Sequence, residues 1–565
     1  MRFLAWVAVG AACVACGSWG PPAPGDEDAG GGSQDAKAGE DAGADANANT
    51  GVDANANAGA DANAPPDANT NAGGDANAGA DASAPPDANA PPDANADATP
   101  STDATAPLTS PVTHSGRWLL DAQGRVLIVH GLNVVNKLAP FTAQAWGFDD
   151  DDAAFLQDNG FNAVRLGVIW EAVEPQPGAY DASYVAQIRA TELMLASHGI
   201  YTLLDWHQDE YNEIFGGEGF PAWSVNTGGL APASPHDAFP NEYTDDPAEK
   251  AAWDNLYGDD AGADGGVGNE ERLSAAEAYV AAQFANDPWV LGYDVVNEPS
   301  GGSSSEPTTD TSDLGPLEQK LVRGIRVADT RHLVFYEPTS TFGLNGISLA
   351  PLGDPSAGIS FHDYCFEPGV LPEVLYAALC GGVLGSSQTS AISHAATEGD
   401  AVLMTEFGSA TPYAVQMVAD DADQNMVPWL EWAYCGCGDP TTAIDPTEEG
   451  VVLDPSQSLT GSNVDAANLA VLERPYPQAI AGTPTSWSYD DTTSAFSLTY
   501  ATVSPPGAVL ASGATTTVFL PALTYPNGYT VTVTGGAIAA GNGTQTISVA
   551  AAPGASSVTV AVTKN

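Results

Sequence analysis

The sequence predicts an α/β fold: a (β/α)8 TIM barrel, followed by a C-terminal all-β sandwich and preceded by a disordered N-terminal linker. Three observations predict it. Eight short apolar runs alternate with helical patterns between Arg117 and Arg474. From Arg474 the helical periodicity stops, and segments rich in Val, Thr, Tyr and Ser are punctuated by Gly, Pro and Asn. Ahead of both, no large apolar side chain occurs between Val52 and Leu108.

In chain order, residues 1–16 read as a signal peptide of the lipoprotein type. Arg2 supplies a basic start, and Phe3 to Val14 is an apolar stretch of about a dozen residues, suited to export and too short to span a bilayer. Val14-Ala15-Cys16 followed by Gly17-Ser18 makes Cys16 the expected lipidation site, although Cys13 stands where a leucine is usual. Simple cleavage with free secretion is the alternative. Residues 17–112 repeat variants of Asp-Ala-Asn-Ala and Pro-Pro-Asp-Ala-Asn. Such a segment buries too little surface to offset its ordering entropy, and it reads as a tether.

Residues 113–474 are assigned to the barrel. The runs are Val126–Val135, Phe161–Val168, Ile200–His207, Val290–Glu298, Leu333–Glu337, Gly358–Tyr364, Val402–Phe407 and Val427–Tyr434. Continuous apolar runs suit parallel strands buried on both faces. Helical patterns lie at Tyr184–Ser197, Ser274–Asn286, Pro316–Asp329 and Tyr413–Asn425. The Gly- and Asp-rich stretch from Gly216 to Asn269 reads as a long loop on the catalytic face. Residues 475–565 read as the sandwich, with strands expected at Ala495–Thr502, Thr516–Pro521, Tyr529–Thr534, Thr544–Ala550 and Ser557–Thr563.

The formal net charge of −57 opposes binding to nucleic acid and to an anionic membrane surface. Beyond the signal segment lie Cys365, Cys380, Cys435 and Cys437. Export permits disulfides, and Cys365–Cys380 is a candidate loop bridge, but the pairing stays open. Zinc is disfavoured, because Cys435-Gly-Cys437 is not the usual ligand spacing.

The predicted strands end in polar residues, and in this fold those ends form the active site. The second run carries Arg165, the third ends with His207, Gln208 and Asp209, and the fourth ends in Asn297-Glu298-Pro299. The sixth carries His362 and Tyr364, the seventh ends in Glu406, and the eighth carries Glu431-Trp432. Two carboxyls facing each other across a barrel mouth suit glycoside cleavage, where one attacks and the other moves a proton. Glu298 and Glu406 are the candidates. Arg165 and Tyr364 are expected to hold Glu406, Asn297 a sugar 2-hydroxyl, Trp432 the apolar sugar face, and Lys137, His207 and Asp209 the other hydroxyls. Asp205 reads as structural, and Asp363 and Glu431 as pointing outward. Glu337 is the rival carboxylate, but its strand neighbours that of Glu298. No G-x-S-x-G elbow supports a serine hydrolase.

This ordered set resembles glycoside hydrolase family 5. Gly131-Leu-Asn-Val-Val-Asn-Lys137, Val164-Arg-Leu-Gly-Val-Ile-Trp-Glu171, Tyr201-Thr-Leu-Leu-Asp-Trp-His-Gln-Asp209, Gly217-Glu-Gly219, Leu291-Gly-Tyr-Asp-Val-Val-Asn-Glu-Pro299 and Arg474-Pro-Tyr-Pro-Gln-Ala-Ile480 resemble its endoglycoceramidase branch. The resemblance covers about 117 to 565. It implies a retaining enzyme that cuts the β-glucosidic bond between glycan and ceramide, without metal or cofactor. It implies Glu298 as acid/base, Glu406 as nucleophile, and sugar contacts at Lys137, His207, Asp209, Asn297, Tyr364 and Trp432; His362 belongs to the same matched set. Trp253 is matched to a further substrate tryptophan. The lipid end of such a substrate needs an apolar trough beside the cleavage point, for which Phe366, Val370 and Leu371 are candidates. Related branches include glucosylceramidases, other exo-β-glucosidases and endo-β-glucanases. A non-catalytic glycan-binding surface protein is the reading from outside enzymes. The expected partners are a glycosphingolipid or other β-glucoside and a membrane, met through the anchor or the substrate. A monomer is expected.

Overall fold

The computed structural model describes residue 108 and residues 110–565, except 237–238, 262–265, 305, 341–346, 365–372 and 443–445. The signal segment with Cys16, nearly all of the predicted tether, and Cys365, Phe366, Val370 and Leu371 lie outside the described residues.

The eight apolar runs form β1 (His130–Val134), β2 (Ala163–Val168), β3 (Tyr201–Trp206), β4 (Val290–Asp294), β5 (Leu333–Tyr336), β6 (Ala357–His362), β7 (Ala401–Glu406) and β8 (Trp429–Glu431). They pair in parallel around a closed barrel, with Trp429 of β8 in register with His130 of β1. Every strand residue except His362 is buried, which is why these runs show no polar alternation. The lower interior is filled by Leu127, Val129, Leu203, Leu291, Phe335, Leu403 and Leu430.

The four predicted helices are α2 (Ala182–Ser197), α4 (Asn269–Phe284), α5 (Gly315–Ala328) and α7 (Pro412–Asn425). Among the described residues, three further helices of nine residues or more were not evident in the sequence. Helix α1 (Asp150–Asp158) begins at a capping box between Asp149 and Asp152, in a stretch acidic enough to read as loop. Helix α3 (Pro247–Tyr257) lies inside the insert, with Asp246 as its N-cap and proline in its first turn. Helix α6 (Glu373–Glu398) is rich in Gly, Ser and Thr, poor helix formers that mask its periodicity.

The C-terminal region forms two antiparallel sheets. One contains β9 (Tyr476–Ile480), β12 (Thr516–Phe519), β14 (Gly536–Ala540) and β15 (Thr546–Ala551). The other contains β10 (Thr483–Asp490), β11 (Ala495–Ala501), β13 (Tyr529–Thr534) and β16 (Ser557–Lys564). Both feed one core that includes Tyr476, Trp487, Phe496, Leu498, Val518, Ile547, Val549 and Val560. The first sheet also takes in the short strands Thr113–Ser115, Trp118–Leu120 and Val126–Leu127, with Leu127 opposite Ala479. The single run Val126–Val135 thus divides between two sheets, and a boundary at 474/475 crosses a continuous sheet. The Arg474-Pro-Tyr motif joins the layers. Arg474 pairs with Asp420 at 2.8 Å and Asp423 at 3.0 Å on α7. Tyr476 stacks on His130 at 3.8 Å, and His130 stacks in turn on Trp429 at 4.0 Å. Cys435 and Cys437 form a disulfide. Cys380 is also disulfide-bonded; its expected partner, Cys365, lies outside the described residues.

Candidate active site

β4 ends at Asp294, four residues before Glu298, so the segment between has to be held by other means. The Asn297 N–H donates to Trp206 O at 3.0 Å. Gln208 Nε2 donates to the carbonyls of Asn297 (2.8 Å) and Glu298 (3.0 Å), and Asn297 Nδ2 donates back to Gln208 O at 3.0 Å. Glu298 sits at φ 39°, a left-handed backbone unusual for a residue with a side chain, which this frame maintains. Glu406 is the last residue of β7.

One carboxylate oxygen of Glu298, one of Glu406 and a ring nitrogen of His362 lie within 4.8 Å of one another. Arg165 is fully buried and spends its guanidinium on five acceptor side chains. It donates through Nη1 to Glu406 (2.5 Å) and Asn133 (3.2 Å), through Nε to Asp294 (3.0 Å) and through Nη2 to Asn297 (2.8 Å), and Nη2 pairs with Asp205 at 2.8 Å. The Tyr364 hydroxyl donates to the other oxygen of Glu406 at 2.9 Å. His362 Nδ1 stands 2.8 Å from Glu298 Oε1 and 3.5 Å from Glu406 Oε2.

A second group lies beside this pair. Lys137 Nζ meets Asp209 at 2.6 Å, Asp439 at 2.9 Å and Thr441 at 2.9 Å, and sits 4.3 Å from the Trp432 ring centre. His207 is parallel to Trp432 at 5.3 Å and bonds Asp205 through Nδ1 at 2.8 Å. The Trp432 indole N–H donates to Glu449. Glu298, Glu406, Lys137, Arg165, His207, Asp209, Asn297, His362, Tyr364 and Trp432, all named from the sequence, therefore fall in this one mouth. Asp363 bonds Gln388 of α6 at 3.3 Å, the outward position expected for it. Trp253 does not match its expectation. It is fully buried on α3, packed against Tyr211, Phe220 and Tyr257, and forms core of the insert instead of sugar-facing surface.

Electrostatics set the two carboxyls apart. Burial and the charge of Asp209 push Glu298 up to about 7, against the opposing pull of His207, Lys137 and Arg165. Burial also raises Glu406, but the Arg165 cation draws it back toward its charged form. Two more buried carboxyls lie outside this pair: burial lifts Glu210 to about 8 and Glu249, in the insert, to about 9, each reinforced by acidic neighbours. A carboxyl with a raised folded-state pKa stabilises the fold most below its unfolded pKa of about 4.3, and loses that contribution as pH rises through the folded value. The melting temperature is therefore expected to fall between about pH 5 and pH 9. Glu210→Gln/Glu249→Gln should flatten that slope in thermal melts; an unchanged slope would refute the assignment.

The sequence did not single out Asp294, Asp439, Thr441 or Glu449. Asp294 lies mid-run among apolar residues, and the other three come from a loop without strand register. Residues 120–438 match the cellulase model of glycosyl hydrolase family 5, and residues 474–562 match the glycoside hydrolase family 5 C-terminal domain. An endoglycoceramidase I of Rhodococcus hoagii (strain 103S) is 29% identical over 481 residues, covering 81% of this chain and 89% of that one. An endoglycoceramidase of Cyanea nozakii is 31% identical over 465 residues, covering 76% and 88%. Endo-glycoceramidase II from Rhodococcus sp. has been solved as a lactosyl-enzyme intermediate (27% identity, TM-score 0.65) and as a ganglioside GM3 complex (26%, 0.66). Both cover 80% of this chain and 100% of theirs.

Proposed function

The chain belongs to glycoside hydrolase family 5, and from that premise we propose that it is an endoglycoceramidase-type retaining β-glycosidase with Glu298 as acid/base and Glu406 as nucleophile. The observation that carries the reading is the separation of the two carboxylates, whose nearest oxygens lie within 4.8 Å. Retention asks for carboxyls about 5–5.5 Å apart, whereas inversion leaves room for a water at about 6.5–9.5 Å.

In the first step a Glu406 oxygen attacks the anomeric carbon as the bond to the ceramide oxygen breaks. That oxygen takes the proton of Glu298 and leaves as a neutral hydroxyl. In the second step Glu298, now ionised, takes a proton from water, whose oxygen displaces Glu406 and restores the β configuration. Arg165 and Tyr364 hold Glu406 with its lone pairs fixed, so little reorganisation is needed during attack. Trp432 offers its ring to the apolar sugar face, while Lys137, His207 and Asp209 bind hydroxyls. The second N–H of the Asn297 amide is assigned to the 2-hydroxyl.

The glycan–ceramide substrate is supported by the relatives whose names carry that activity. The test is product analysis on a defined glycosphingolipid with at least three sugars. Release of the intact oligosaccharide and ceramide is expected. Removal of terminal sugars only would replace the endo reading with an exo-β-glucosidase. Tight binding without turnover would replace both with a glycan-binding protein.

Export with tethering through Cys16 is part of the proposal, supported by the basic-then-apolar N-terminus and the cysteine that follows it. The disulfides at Cys380 and Cys435–Cys437 fit an oxidising compartment. A tether of this kind would keep the barrel near lipid substrates; no helix among the described residues is long and apolar enough to cross a membrane.

A further inference from the structure

We propose that Glu337 is a positioning residue for the acid/base carboxyl: it donates its proton to His362 Nε2, fixing the imidazole as the Nδ1–H tautomer aimed at Glu298. The inference rests on the reading of Glu298 as acid/base.

Glu337 directly follows β5 and is 2% exposed. Its Oε2 faces His362 Nε2 at 3.4 Å, a little long for a hydrogen bond, and both buried atoms are without a hydrogen-bond partner among the described residues. On its other edge the same imidazole places Nδ1 2.8 Å from Glu298 Oε1. The ring therefore lies between two carboxyl groups, bonded to Glu298 through Nδ1 and facing Glu337 with Nε2.

The groups around Glu337 decide where its proton resides. Glu318 of α5 accepts the Glu337 backbone N–H at 2.9 Å, and Asp294, Glu298 and Glu406 face it from β4, the loop after β4, and β7. The cation facing it is Arg165 of β2, already shared among Asp205, Asp294 and Glu406. Burial, with these like charges, pushes the Glu337 carboxyl well above its usual range. Burial also lowers His362 to about 4, so its ring is neutral and carries one N–H.

The two tautomers differ in what they offer Glu298. With hydrogen on Nε2, the Nδ1 lone pair would confront Glu298 once it had given up its proton, at the moment the site must stabilise a carboxylate. With hydrogen on Nδ1, the ring donates to Oε1 both before and after transfer. The transferable proton then resides on Oε2: it leaves to the departing oxygen in the first step and returns from water in the second. The hydrogens on His362 and Glu337 stay in place throughout.

The test compares Glu337→Gln and Glu337→Met in the full chain. A glutamine N–H can replace the donated proton, whereas methionine cannot. Glu337→Gln is expected to retain activity within about threefold. Glu337→Met is expected to lose about 10²-fold on an alkyl-type leaving group and less than about threefold on a dinitrophenyl β-glycoside, which needs no acid. ¹⁵N-histidine spectra, with the His362 signal identified by its loss in His362→Gln, should report Nδ1–H in the parent and in Glu337→Gln. An Nε2–H ring in the parent, equal losses on both substrates, or a glutamine variant as impaired as methionine would each overturn the proposal. Should Glu337→Met not fold, the parent spectrum and Glu337→Gln still decide it. Should the parent hydrolyse no β-glucoside, the acid/base reading fails, while the spectra still test the Glu337–His362 contact.

Discussion

Glu406→Gln is expected to reduce turnover of a β-glucoside by roughly 10⁴-fold or more, the scale on which loss of one member of a catalytic unit registers, while the fold survives. The two halves of this expectation have separate causes. An amide has no anionic oxygen to attack the anomeric carbon, so no glycosyl-enzyme forms by this route. The amide is nearly isosteric, and its oxygen can still accept from Tyr364 or Arg165. The loss of one anion beside a buried guanidinium is the main structural risk, since an uncompensated buried charge is costly. Here Arg165 keeps Asp205 at 2.8 Å and Asp294 at 3.0 Å, both fully buried, so its charge stays neutralised. Circular dichroism and thermal melts on the variant, beside its kcat on an aryl β-glucoside, separate the two halves. A well-folded variant that keeps a tenth of the parent rate would remove Glu406 from the mechanism.

The same buried network explains what was legible in the sequence. All eight strands could be read because each is enclosed on both faces, and burial on both faces leaves an uninterrupted apolar run. The polar residues that break these runs at their C-terminal ends could be read for the opposite reason: burying Arg165, His207 or Glu406 is costly unless the group works or is satisfied. Register does not extend into loops, so Asp439, Thr441 and Glu449 reach the Lys137–Trp432 group without any periodic signal. Asp294 was hidden differently. It accepts hydrogen bonds from Arg165 and Ser360, and a lone Asp in an apolar run looks the same whether it is bonded or merely tolerated. Trp253 was misassigned because aromatic content in a loop does not reveal whether the loop folds its own core. The insert does so, burying Trp253 among Tyr211, Phe220 and Tyr257.

Removing the acid/base should produce a different signature from removing the nucleophile. For Glu298→Ala, hydrolysis of a substrate with an alkyl leaving group is expected to fall by about 10³-fold, within the usual worth of a positioned proton donor. A dinitrophenyl glycoside should still form the glycosyl-enzyme, because its leaving group departs without a proton. The intermediate should then accumulate, since water lacks its base. Azide needs no base and fits the space the side chain vacates, so it should restore turnover and yield a β-glycosyl azide. The parent supplies the matching pH dependence. The first step needs Glu298 protonated, and Glu298 is held up to about 7, so kcat/KM should decline above about pH 7. That alkaline limb should disappear in Glu298→Ala assayed on the dinitrophenyl substrate. The lower limb, set by ionisation of Glu406 beside Arg165, should remain. An α-azide product would contradict double displacement, and an alkaline limb that persists in the variant would assign it to a group other than Glu298.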